Sequence, residues 1–216
     1  MRTLFVEAGV DDLTDLQINL FWQYYLRLKA RNQEINLTRI HRFEDVVVKH
    51  FVDCVLPGRL TELPSPLMDL GSGGGFPGVP LKILHPEVEI ILAEGRRLRV
   101  EFLEEVRRSL RLPKLHIHGA RIHPDLCEPR VAGVITRAVE RIEATLPRVE
   151  GCVAPGGRVL LMKGPSVDPE IAVAAETLAD RWRLVEDHAY RLPTTDHERR
   201  LVVYERIGAE GGGGCG

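Results

Sequence analysis

Five glycines fall within the eight residues Gly71–Gly78, in the stretch LMDLGSGGGFPGVPL (67–81), and no other feature narrows the choice of fold as much. Glycine loses more backbone freedom on ordering than any other residue, so such a cluster marks backbone that needs positive φ or close approach to a ligand. An apolar run, PLMDL, precedes it. The helical pattern GVPLKILHP follows, with Pro77 and Pro80 flanking Gly78 at the helix start, where early N–H groups are unpaired anyway. Strand, glycine turn and helix form the layout in which backbone and a helix start face a bound cofactor.

The rest of the chain fits that layout. Residues 1–64 read as a helical cap. DDLTDLQINLFWQYYLRLKARNQ repeats apolar residues at helical spacing (Leu13, Leu16, Leu20, Tyr24, Leu28), with Asp11 or Asp12 to cap its start. INLTRI breaks the pattern and RFEDVVVKHFVDCVL resumes it as far as Pro57. From residue 65 to 207 strands and helices alternate: VEIILAE, KLHIHG, VAGVITRA and RVLLMKG as strands, with RRLRVEFLEEVRRSLRL, EATLPRVEGCVAPGG and DPEIAVAAETLAD as helices. Alternation with near-continuous apolar strands predicts a Rossmann-like α/β fold, a mostly parallel seven-stranded sheet covered on both faces. WRLVEDHAYRL and RRLVVYERI have no helix between them and should close the sheet as an antiparallel edge. Residues 208–216, GAEGGGGCG, read as a disordered tail.

Composition excludes several classes. No run approaches the roughly 18 apolar residues of a membrane span, and MRTLFVEAGVDD turns acidic too early for a secretory signal; a cytoplasmic location is expected. Cys54, Cys127, Cys152 and Cys215 are far apart and read as reduced thiols. His116, His118 and His123 alternate as on a strand, with no carboxylate spaced to complete a metal site, so no metal is expected. The formal net charge of −2 argues mildly against a broad nucleic-acid surface. Arg96, Arg97 and Arg99 nonetheless crowd one helix start, whereas Arg107 and Arg108 have Glu104 and Glu105 as partners within a turn.

Gly73, Gly75 and Gly78 match G-x-G-x-x-G, a weak dinucleotide signal. Asp69, two residues before Gly71, would repel a pyrophosphate but suits the ammonium and sulfonium of S-adenosyl-L-methionine. Glu94 ends the next strand, where a carboxylate can accept both ribose hydroxyls. A methyltransferase is favoured; a nicotinamide-dependent oxidoreductase, or a non-enzymatic RNA-binding module with a vestigial pocket, stays open.

The chain also resembles the glucose-inhibited division protein B family, methyltransferases that make 7-methylguanosine in 16S ribosomal RNA. The resemblance runs from about Asn36 to Tyr204, through NLTRI, VKHFVDCVL, MDLGSGGGFPGVPL, FLEEV, VITRAV, APGGRVLLMKG and RRLVVYE. It implies that Gly71 and Phe76 meet the cofactor, that Gly73 and Gly75 shape the turn, that Glu94 faces the ribose and that Arg121, Ile122 and His123 meet the adenine. Arg137 matches the family's Ser-Arg-Ala arginine. Two positions depart from the family: His123 stands where an acid is common, and EGRRLRVEFL where a serine and a lysine-arginine pair are. For the acceptor side, His50, Asn36, Thr38 and Asp53 come from the cap. Lys163, a lysine ending a buried strand, reads as a ligand or phosphate contact. A rim of Arg137, Lys163, Arg199 and also Arg96 and Arg97 is expected to meet RNA phosphates, with small-subunit ribosomal RNA, as an RNA–protein particle, the expected partner; the oligomeric state stays open, with a monomer favoured.

Overall fold

The computed structural model describes residues 1–123, 130–137 and 140–208; Cys127 and all of the predicted tail except Gly208 lie outside them. Five helices precede the first strand: α1 (Arg2–Glu7), α2 (Asp15–Ile35), α3 (Phe43–Val46), α4 (Asp53–Val55) and α5 (Pro57–Leu60), with a π-helical turn, Val47–Val52, between α3 and α4. The core then runs β1 (Leu67–Leu70), α6 (Gly78–Leu84), β2 (Ile90–Ala93), α7 (Arg97–Leu110), β3 (Leu115–His118), β4 (Val131–Arg137), α8 (Ile142–Val149), β5 (Val153–Lys163), α9 (Asp168–Thr177), β6 (Trp182–Arg191) and β7 (Glu198–Arg206).

One seven-stranded sheet results, ordered β3-β2-β1-β4-β5-β7-β6. β1 to β5 pair in parallel, and β7 inserts antiparallel between β5 and β6. β1 is flanked by β2 on one side and β4 on the other. Strand order therefore reverses at β1, and the carboxyl ends of β1 and β4 open a crevice at the switch point, where ligands of open α/β sheets bind. β1 is buried along its whole length, Asp69 included, as befits a central parallel strand covered on both faces. No helix among the described residues is long and apolar enough to cross a membrane.

The cap helices share one apolar cluster with the sheet, running from Phe5, Phe21 and Phe51 through Phe76 and Leu103 to Leu160. α2 starts at Thr14 and not at the acids before it: the Thr14 hydroxyl accepts from the Gln17 N–H while the Gln17 side chain returns to the Thr14 N–H. That reciprocal box satisfies two orphan donors, which neither Asp11 nor Asp12 does. The buried stripe of α2 is Phe21, Tyr24, Tyr25, Leu28 and Asn32, and Leu16 is 67% exposed. The helix expected to run on to Gly157 ends at Val149. Val153–Gly157 joins β5 instead, because the Val131 N–H takes the Cys152 carbonyl and continues the sheet past a register shift.

Candidate functional site

The glycine turn leaves β1 and bends back over it. Gly71, Gly73 and Gly75 have φ of 73°, 58° and 100°, the region that costs a side-chain-bearing residue roughly 1–2 kcal/mol. At Gly75 a Cβ would also lie 2.7 Å from Val79 and 2.8 Å from the Tyr24 hydroxyl. Tyr24, a cap residue fully buried in α2, donates to the Gly74 carbonyl at 2.5 Å and so ties the cap to the turn.

The hydrogen bonds of this turn bear directly on what it can hold. The N–H groups of Gly71 and Ser72 go to the Ala93 carbonyl, those of Gly75 and Phe76 to the Ser72 carbonyl, and that of Gly73 to Glu94 Oε2 at 3.0 Å. These donors are spent inside the turn. The carbonyl oxygens of Gly71 and Gly73, in contrast, accept no hydrogen bond among the described residues. A phosphate cradle needs free N–H donors; a turn whose donors are used and whose carbonyls are free suits a cation such as an ammonium.

Asp69 does not supply that selectivity. It is fully buried beneath the turn, its Oδ2 accepts from the Gly78 N–H at 2.8 Å, and its Oδ1 has no partner. A Cβ at Gly78 would sit 2.8 Å from that carboxyl. Asp69 anchors the start of α6 rather than facing a ligand, and burial pushes its carboxyl up to about 7. Glu94 is nearly buried, and its two oxygens take the N–H groups of Gly73 and Arg96, with Arg99 Nη1 3.6 Å away. An ionised carboxylate has about four acceptor positions, so two remain toward the cavity that Glu94 lines.

That cavity, of about 290 Å³, lies between the ends of β1 and β2 and is walled by Gly71, Glu94, Gly95, Arg96, Arg121 and Ile122 among others. His123, one residue on, is exposed and lies outside that lining. Gly73, Gly75 and Phe76 shape the turn without lining the cavity. A wall that the sequence pattern does not reveal comes from Glu140 and Arg148, joined by two hydrogen bonds of 2.7 and 2.9 Å.

A second cavity, of about 360 Å³, opens at the ends of β4 and β5 beneath the cap, and His50, Asp53, Arg137, Lys163 and Arg199 all line it. Here the sequence-predicted residues do converge. Arg137 donates to His50 Nδ1 at 3.0 Å, to the Lys49 carbonyl at 3.2 Å and to Asp53 Oδ2 at 3.4 Å, and its guanidinium lies 5.1 Å from the centre of the Phe76 ring. His50 stacks on the same Phe76 ring at 4.4 Å between centroids. Arginine only donates, so His50 Nδ1 accepts; the neutral ring must then carry its proton on Nε2 and donate it to Thr38 Oγ1, 2.7 Å away. Burial, and then the Arg137 charge, push the imidazole down to about 3. The π-helical turn gives this cluster its form: its wider coil presents the Lys49 carbonyl and His50 to one guanidinium, a use of π-turns common at functional sites.

Asp53, 4% exposed in its side chain, holds Arg137 and Arg199 (3.5 Å) and accepts from the Tyr190 hydroxyl at 3.3 Å. It pairs with arginines from β4 and β7 and not with His50 along its own helix. Lys163 is also spoken for. Its Nζ bonds Glu170 Oε2 at 2.9 Å and the Glu140 carbonyl, and the side chain is 10% exposed. The expected free phosphate contact is an internally neutralised lysine, because Glu170 from α9 packs over the end of β5. Asn36 is exposed and ends α2 in the left-handed conformation, a cap and not a wall residue. Asn32 does the positioning there: its amide brackets the Thr38 backbone, donating to the carbonyl at 2.9 Å and accepting from the N–H at 2.7 Å. A polar residue on the buried face of α2 is the signal that could have found it. Arg97 pairs with Glu101 and leaves the expected rim, while Arg96 stays in the first cavity. Among the described residues no cluster of three or more His, Cys, Asp or Glu could hold a metal.

A doubly wound sheet with its β7 strand reversed, carrying a cation-accepting glycine turn at the switch point, defines a class I methyltransferase dependent on S-adenosyl-L-methionine. The model of one family, rRNA small subunit methyltransferase G (GidB), matches residues 17–199, and the chain belongs to that family. The ribosomal RNA small subunit methyltransferase G 2 of Bdellovibrio bacteriovorus is 45% identical over 207 residues, 96% of this chain and 81% of the relative. Its namesake in Syntrophobacter fumaroxidans is 47% identical over 208 residues, 96% of this chain but 41% of that longer relative. Among solved structures, a Burkholderia thailandensis 1,6-didemethyltoxoflavin-N1-methyltransferase has the same fold, with a TM-score of 0.57 at 12% identity, covering 88% of this chain and 89% of that one.

Proposed function

We propose that the chain transfers a methyl group from S-adenosyl-L-methionine to the 7-position nitrogen of a guanosine in 16S ribosomal RNA, in the cytoplasm, acting on an RNA–protein particle. The observation that carries the cofactor half is the glycine turn: the Gly71 and Gly73 carbonyls are free while the N–H groups of Gly71, Ser72, Gly73, Gly75 and Phe76 are spent, which favours an ammonium-bearing cofactor over a nicotinamide dinucleotide. Glu94 has acceptor positions left for the ribose, and Ile122 offers an apolar wall to the adenine. The substrate half comes from the names of relatives that share 45–47% of their aligned residues with it.

The cofactor, when bound, supplies an electrophilic methyl on sulfonium. The protein's own part is geometric. A ring nitrogen with a free lone pair loses no proton before attack, so a general base is unnecessary, and none is poised: His50 is neutral and locked by two hydrogen bonds, and Lys163 is neutralised by Glu170. Placing donor and acceptor about 3 Å apart in a closed site is then the main contribution. Asp53 lines the second cavity between two arginines and fixes their positions there. Glu140 links the walls of the two cavities: it lines the first, and its carbonyl accepts from Lys163, which lines the second.

The test is direct. Purified protein is incubated with labelled cofactor and either small-subunit particles or naked 16S RNA from a strain lacking the enzyme, and 7-methylguanosine is mapped. Label on one guanosine, greater on particles, supports the proposal. Label elsewhere, or calorimetric binding of NAD and not of S-adenosylhomocysteine, would sink it.

A further inference from the structure

Of the cations that the sequence pattern assigns to RNA, Arg137 and Arg199 are engaged by Asp53, Lys163 by Glu170 and Arg97 by Glu101, while Arg96 lines the first cavity. Further free positive charge lies on the cap. Arg2, Arg31, Lys49 and Arg59 there pair with Asp15, Glu34, Asp45 and Asp12. The side chains of Lys29, Arg39 and Arg42 are exposed and form no hydrogen bond or ion pair among the described residues, Arg42 acting on Asp45 only at longer range.

Lys29 lines one recess of the cap, and Arg39 and Arg42 adjoin its wall residues in the chain. The recess has a volume of about 240 Å³, and its walls include Tyr25, Leu28, Val46 and Ile40, with Lys29, Gln33 and His41 at the polar side. Arg39 and Arg42 flank Ile40 and His41 in the chain. Ile40 also lines the second cavity, and Thr38, another wall residue, bonds His50 inside that cavity. The recess and the second cavity thus share a wall. Trp22, 43% exposed and in ring contact with Tyr25 and Phe43, extends the aromatic surface. Of the acids nearby, Asp45 and Glu34 are neutralised by Lys49 and Arg31, and Glu44 stays exposed.

We propose that this recess is a second nucleotide subsite, holding an unpaired base of the same RNA strand that flanks the nucleotide in the second cavity. The inference rests on the proposed function and extends it. Single-stranded RNA is recognised by stacking splayed bases on aromatic or apolar faces while cations follow the backbone. The recess offers that combination: an apolar floor for a base face, the Gln33 amide and the His41 ring for its edge, and Lys29, Arg39 and Arg42 for adjoining phosphates. Asn32 is not a reader, since both ends of its amide bracket Thr38; it holds the wall in place.

Two variants of the full chain test it. The first combines Lys29→Ala, Arg39→Ala and Arg42→Ala; the second, Gln33→Trp, narrows the recess from its rim and leaves the charges intact. Both should retain the parental unfolding midpoint and cofactor affinity. For methyl transfer to small-subunit particles, KM should rise about tenfold or more in each, with kcat within about twofold. The triple variant should also lower the slope of log affinity for naked 16S RNA against log salt by about 0.7 per cation removed. A parental KM in the triple variant overturns the subsite. So does a raised KM with unchanged affinity for naked RNA, which would assign this face to a protein of the particle, and so does a Gln33→Trp variant that methylates like the parent. A parent that binds cofactor but methylates neither RNA nor particle brings down the proposed function itself, an outcome separate from these.

Discussion

The two cavities at the carboxyl edge of the sheet are built from different materials. The first is made largely of backbone: one continuous turn, the end of β2, and a carboxylate, Glu94, that bonds two N–H groups within two residues of its own and across the turn. The second is made of side chains from the cap, β4, β5 and β7, which meet only in the folded protein. A backbone-built site fails when local conformation is disturbed. A side-chain site fails when one partner leaves its neighbours buried and unpaired. Each cavity should therefore break separately.

The largest effect is expected at Arg137. Arg137→Ala removes the common partner of His50, Asp53 and the Lys49 carbonyl, and leaves a buried carboxylate with Arg199 and Tyr190 alone. Breaking a buried pair of this kind costs about 3–5 kcal/mol, and denaturant unfolding should show a loss of that order, with methyl transfer abolished. Next comes Asp69, beneath the first cavity. With its folded pKa raised to about 7, the native state holds a proton that the unfolded chain releases near pH 4. Stability from this group is thus full below pH 4, falls as pH rises, by up to about 1.4 kcal/mol per unit, and levels off above 7. Asp69→Asn, which can still accept from Gly78, should flatten that slope; an unchanged slope would mean that Asp69 is ionised when folded.

Glu94→Gln tests the first cavity alone. It exchanges one acceptor oxygen for a donor and should weaken cofactor binding by about tenfold, in line with roughly 1.5–3 kcal/mol for hydrogen bonds to a charged group. Particle KM should not move. The smallest expected effect is a null one. Because His50 is held neutral, its pKa near 3, the rate of transfer between pH 5 and 8 should show no inflection that disappears in His50→Asn. An inflection near 6.5 lost in that variant would make His50 a titrating participant.

The same contrast explains what could be read from the sequence. Positive φ and close packing are local demands, and the glycines of 71–78 state them, so the turn, the alternating elements and the reversed edge strand were legible. The role of Asp69 was not, because spacing places a carboxyl near a turn without saying which side of the strand it faces. Lys163 was misjudged for a related reason: its neutralising partner, Glu170, lies on the next helix and nothing in MKG points to it. His50, Asp53 and Arg137 were individually suspected, yet their union depends on a π-helical turn that periodicity does not reveal. Tyr24 and Asn32 sit on the buried stripe of α2, where a hydroxyl and an amide pass for ordinary core-facing positions until their partners at Gly74 and Thr38 are seen.

Asp53→Asn tests most directly whether the two cavities are separate devices. The substitution keeps the size of the side chain and one oxygen, and removes the charge that holds Arg137 and Arg199 together. Cofactor affinity by calorimetry and methyl transfer to small-subunit particles should be measured on the same preparation. Transfer is expected to fall by more than tenfold with the dissociation constant for S-adenosylhomocysteine unchanged within about twofold. A cofactor affinity that falls in step with the rate would contradict the account, for it would make the Asp53–Arg137 cluster part of the first cavity.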